Sequence, residues 1–145
     1  MALLHTAAIT RLDGRYAIEA LSAAGPTDLP NGWVHVLGAG VADDVLGAYV
    51  VAGLNEADRP LPGERLTPAA DAFGCRDDAA LAEQGAVRVI AEYNGDSVLI
   101  LTMSLAGPRG GFVLAEDATT AEVLADDPPQ VLGQVIRRAL DDATT

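Results

Sequence analysis

The feature that constrains this chain most is an apolar stripe near its C-terminus. In Val131–Ala143, apolar residues stand at 131, 132, 135, 136, 139 and 140. That spacing returns to one side of an α-helix, so the segment is predicted to be a helix with one face on a core. Asp127 before Pro128 has the order of an N-cap and a first helical residue. The stripe has an earlier echo. Val45–Ala57 repeats it at 45, 46, 49, 50, 53 and 54, and Asp43 or Asp44 can cap it. Both segments carry Val-Leu-Gly and a second leucine at the same distance from the first. Two readings stay open: duplication of a strand-then-helix unit, or a chance likeness between amphipathic helices.

Such helices need a surface to bury, and alternating segments supply one. Residues 3–12 and 15–22 read as strands joined by Asp13-Gly14, a strong two-residue hairpin turn. Trp33–Leu37 is a short strand after the breaks at Gly25-Pro26 and Pro30-Asn31-Gly32. Residues 86–93 and 97–106 form a second hairpin about Asn94-Gly95. After the Pro108–Gly111 turn, Phe112–Leu114 and 120–125 read as further strands. Pro60, Pro62, Gly63 and Pro68 make 58–75 a surface loop. Residues 76–84 are a short helix stopped by Gly85, with acids in its first turn. Hairpins dominate. The prediction is therefore a single α+β domain over 1–145, with a mostly antiparallel sheet and two or three helices packed on one face.

Composition limits the function. Hydrophobic residues make up 50% of the chain, enough for a core. There is no lysine, and the net charge is −12. Such a charge repels nucleic-acid phosphates and anionic membranes and favours basic protein partners. The single cysteine, Cys75, excludes an internal disulfide framework and multi-cysteine zinc motifs. The N-terminus does not read as a signal peptide, and no apolar run is long enough to span a bilayer. A cytoplasmic protein is expected, with a monomer favoured over an oligomer.

The chain carries few signs of chemistry. His5 and His35 lack the spacing of a helical zinc pair. No Gly-x-Ser-x-Gly elbow surrounds a serine. Gly38-Ala39-Gly40 starts like a dinucleotide fingerprint, but Asp43 stands where the third glycine belongs and would repel a pyrophosphate. No calcium-loop pattern is present. The expectation is no catalytic residue, no metal and no cofactor. The acidic pairs suit solvated helix ends and turns, or a surface for a basic partner. Glu56, Asp58, Asp77, Asp78 and Glu83 are the residues expected to form such a surface.

The C-terminal part carries a resemblance. It has a hairpin ending in the apolar strand Ser97–Ala106, a turn, Gly111-Phe112-Val113-Leu114 with an acidic continuation, and then Leu132-Gly133 and Leu140. This resembles immunity proteins of bacterial contact-dependent growth inhibition systems, although Asp141-Asp142 replaces the serine or arginine usual after the final Ala-Leu. The resemblance implies a cytosolic, cofactor-free protein that neutralises a cognate toxin domain by covering its active site. Many such toxins are nucleases with basic clefts, to which an acidic inhibitor would be steered. Three alternatives stand beside it. One is a chaperone or adaptor for a secreted effector, which needs an exposed apolar groove and usually a dimer. Another is a small structural domain. The third is an enzyme assembled from scattered residues such as His35, Arg88 and Asp96.

Overall fold

A computed structural model describes residues 5–24, 27–64, 66–105 and 112–143. In chain order the elements are β1 (His5–Leu12), β2 (Arg15–Ala24), β3 (Thr27–Leu37), α1 (Asp43–Asn55), α2 (Pro68–Ala72), α3 (Asp78–Glu83), β4 (Val87–Tyr93), β5 (Ser97–Leu105), β6 (Phe112–Leu124) and α4 (Pro129–Ala143). The strands form one antiparallel sheet in the order β3-β2-β1-β4-β5-β6. The predicted α+β class and hairpin-built sheet are what the chain adopts. Asp13 and Gly14 both have positive φ, the backbone of a tight hairpin whose twist matches its strands.

The sheet is two three-stranded meanders joined at its centre by the antiparallel β1–β4 pair. Each meander is followed by a long helix, α1 or α4, and both helices lie on one face. Ala7, Ile9, Ile18, Val89, Val98 and Ile100 from the strands meet Leu46, Val50, Leu54, Leu132, Ile136 and Leu140 from the helices in one core. Both sequence stripes are thus the core faces of their helices, except that Val45 at the start of α1 is exposed. The shared glycines have their own explanation. A Cβ on Gly47 would stand 1.8 Å from the Pro129 carbonyl oxygen, and one on Gly133 would stand 1.9 Å from that of Asp43. Each helix sets its glycine against the first residue of the other. As α1 steps back from Gly47 to Asp43, α4 steps forward from Pro129 to Gly133, so the helices pass antiparallel. The echo therefore marks two β-β-β-α units packed about a pseudo-twofold axis.

Several local expectations are corrected. The chain from 112 to 124 is one strand, with register shifts against β5 between Ile100 and Met103, rather than two short strands. The stretch 58–75 contains a buried helical turn, α2, because Pro68, Ala69 and Ala70 pack on the sheet. Asp127 does not cap α4. Its carboxylate accepts from the Leu124 N–H at 3.2 Å, and Pro128 and Pro129 have no N–H to offer a cap. The N-cap position of α1 is Ala42, which makes no side-chain cap; Asp44 accepts from the Val45 N–H at 2.9 Å in the first turn, and Asp43 is used elsewhere. Asp43 instead accepts from Arg137 Nε at 2.8 Å, and Arg137 Nη2 donates to the Val41 carbonyl at 2.5 Å. Arg137 thereby ties the two long helices together. The Pro108–Gly111 turn lies outside the described residues.

The opposite face of the sheet is covered differently. Leu12 and Ala17 pack with Ala69, Ala70, Cys75, Leu81 and Ala86 beneath α2 and α3. Ala8, Ile90 and Leu101 form a separate small cluster. The two short helices thus sit across the sheet from the two long ones.

Candidate functional site

Under α2 and α3 lies a buried charge network built on Arg88. The β4 alternation sends Val87, Val89 and Ala91 to the helical core and Arg88 to the opposite face. Its Nε donates to Thr10 Oγ1 at 2.7 Å, and Nη1 and Nη2 donate to the two Asp78 oxygens at 3.0 and 3.4 Å. Glu19 Oε1 lies 3.6 Å from Nη2, and the Phe112 ring centroid is 4.4 Å from the guanidinium carbon. Arginine keeps its charge when buried, so its surroundings must supply counter-charge and acceptors. Glu19 is only 2% exposed. Burial raises its pKa above the usual carboxylate value, with Arg88 opposing the rise and Asp78 adding to it. The network joins β1, β2, β4, α3 and β6.

The acidic residues expected to form a partner surface fall into two groups. Asp77 caps α3 by accepting from the Ala80 N–H at 2.9 Å, and Asp78 is engaged with Arg88. Glu83, the last residue of α3, is exposed. Glu56 follows α1, where its side chain pairs with Arg59, and Asp58 is exposed in the next turn. The chain around 56–59 docks on β2 and β3: Ser22 Oγ donates to the Ala57 and Arg59 carbonyls at 3.0 and 2.7 Å, and Asn31 Nδ2 donates to the Glu56 carbonyl at 2.8 Å. One group therefore follows a helix of the helical face, and the other lies on a helix of the opposite face.

The alternative catalytic trio is not assembled. His35 stacks on Tyr49 of α1 at 4.0 Å between centroids, Arg88 is buried on the opposite face, and Asp96 sits in the β4–β5 turn. Among the described residues, no three His, Cys, Asp or Glu side chains are placed to hold a metal ion. Concavities open to solvent are lined by described residues at two places. One of about 590 Å³ lies at the crossing of α1 and α4, beside Asp43, Asp44, Gln130 and Arg137. The other, about 420 Å³, runs between β3 and α2, lined by Gly32, Val34, Leu66, Pro68, Asp71 and Ala72. The sequence reading did not find the Glu19–Arg88 network. Alternation put Arg15, Ala17 and Glu19 on one face, and the apolar Ala17 was the one sign that this face is covered.

These features define a class of protein: an acidic α+β domain with a charged groove at the helix crossing and a mostly apolar one beside β3, one face of long helices and a buried ionic cluster under short ones. Comparison with known proteins makes the likeness particular. No family model matches the chain, and no curated protein matches it. Solved structures share the fold over nearly its whole length. A protein of unknown function from Neisseria meningitidis matches with a TM-score of 0.73 at 15% identity, over 99% of this chain and 97% of that one. A chain of the CdiA-CT/CdiI toxin and immunity complex from Yersinia pseudotuberculosis matches with a TM-score of 0.71 at 15% identity, over 96% and 97%. At this identity the likeness is one of fold. The resemblance read from the C-terminal strand and helix thus has a counterpart in the structure of a toxin and immunity complex. No helix among the described residues is long and apolar enough to cross a membrane.

Proposed function

We propose that this protein is a cytosolic immunity protein that binds a cognate toxin domain and neutralises it by covering its active site. The carrying observation is the near full-length fold match to a chain of the CdiA-CT/CdiI toxin and immunity complex. The net charge of −12 supports a basic partner, of the kind a nuclease cleft presents. In this proposal the partner surface includes Glu56, Asp58, Asp77, Asp78 and Glu83. Asp58 and Glu83 offer exposed charge, while Asp77 and Asp78 hold α3 in place, so charge reversal at the first two tests the surface without disturbing the fold. Asp58→Arg with Glu83→Arg is expected to slow association with the toxin domain at low salt. An unchanged on-rate would move the interface elsewhere.

The groove between β3 and α2 is the observation that favours the second reading, a chaperone or adaptor for a secreted effector. Capture of an unfolded effector segment, with no protection against a folded toxin, would select it.

A further inference from the structure

We propose that the exposed edge of β3 is a self-association site, where a second copy of this chain adds its own β3 in antiparallel register about His35. Among the described residues β3 pairs only with β2, so its outer edge carries unpaired backbone groups. Part of that edge is covered by the chain itself. α1 ends on the helical face and α2 begins on the opposite face, so the connection passes round β3. It touches the strand where Asn31 holds the Glu56 carbonyl and where Leu66 flanks Gly32. The Trp33 N–H is also taken, by Asn31 Oδ1 at 3.1 Å. Beyond these contacts lies the open segment, Val34 to Leu37, with Val34 36% and Val36 40% exposed.

Charge decides the occupant. Residues 29–42 are the longest run in the sequence without an aspartate, glutamate or arginine. The other edge strand, β6, carries Glu116, Asp117 and Glu122. A basic partner seeks carboxylates, and the open segment from Val34 to Leu37 offers none; Asp28 lies at the far end of β3. A second copy is repelled over the rest of this acidic surface and least repelled here. The segment is also self-complementary. Val34-His35-Val36 reads the same in both directions, so antiparallel pairing about His35 sets valine opposite valine, a favourable cross-strand pair. Trp33 falls opposite Leu37, where the incoming β3 ends, so the added strand stops short of the crossing chain. No lysine, proline or charged side chain guards this stretch against pairing.

The test is the mass of the full-length chain in solution by sedimentation equilibrium over a wide concentration range. The weight-average mass is expected to rise from 14.9 kDa towards twice that value. Val36→Lys is expected to hold the chain at single-chain mass with an unchanged thermal melt. Leu124→Lys, on the exposed β6 edge, is expected to associate like the parent. A single-chain mass at every concentration would overturn the proposal, as would association that survives Val36→Lys. If the parent chain stays monomeric and its Val34–Leu37 amides gain exchange protection only with a toxin domain, the occupant is that partner's strand and self-pairing is wrong.

Discussion

The residues that most repay substitution are the two helix glycines and the buried ions. Gly47 and Gly133 are read from the sequence only as a repeated Leu-Gly. The structure shows why neither tolerates a side chain: each would put a Cβ within 2 Å of a backbone oxygen that cannot move independently. Gly47→Ala is expected to cost about 3 kcal/mol or more by forcing the helices apart, measured by chemical denaturation; a change under about 1 kcal/mol would mean that the crossing relaxes freely. The Arg88 network makes a different prediction. Arg88→Ala leaves Glu19 buried without its cation and is expected to destabilise by about 3–5 kcal/mol. Glu19 itself sets a pH dependence. Its folded pKa lies above the ordinary 4.5, so the folded chain holds more protons than the unfolded chain between those values. Stability from this group is greatest at and below the unfolded pKa and falls as pH rises through the folded one. Glu92, raised by burial with Asp28 adding, contributes with the same sign. Glu19→Gln is therefore expected to flatten the fall in unfolding free energy above pH 4.5, and an unaltered slope would show that Glu19 does not cause it.

Among the elements, the long helices were legible and the short ones were not. A stripe of six apolar positions over three turns is a strong periodic signal, and α1 and α4 lie where it predicts. The hairpin turn at Asp13-Gly14 was equally plain, since few residues accept its backbone. Helix α2 was hidden because it is a single turn among prolines, stabilised by packing on the sheet rather than by its own propensity. The caps were misassigned for a related reason. Asp43 and Asp127 have the right residue type at the right place, but Arg137 and the Leu124 N–H reach them first. β6 was divided because its pairing with β5 is broken by register shifts, which blur the alternation. The packing of α4 has a direct test. Leu140 is fully buried between α4 and the sheet, and Leu140→Ala is expected to cost about 2–5 kcal/mol. A near-neutral result would make α4 peripheral.

For the molecule as a whole, the proposed binding role rests on charge and fold, and the two were legible to different degrees. Net charge is a sum over the chain and needs no coordinates. The surface that uses the charge depends on which acids remain free, and that requires the fold. Asp78 illustrates the gap: in the sequence it is one of a pair of surface acids, and in the structure it is the half-exposed partner of the buried Arg88. Asp58 and Glu83 keep their exposure but sit with elements on opposite sides of the sheet, so a single compact toxin cleft is expected to engage one of them more than the other. Comparing Asp58→Arg and Glu83→Arg separately identifies that side by the larger fall in association rate, and equal effects would argue for a partner that wraps the sheet edge. The central claim is neutralisation of a toxin by binding. The measurement that tests it most directly is the activity and binding of a candidate cognate toxin domain, titrated with the purified chain at increasing ionic strength. Stoichiometric loss of toxin activity is expected, with an association rate that falls steeply with salt. A toxin domain that stays fully active in the presence of excess protein would contradict it.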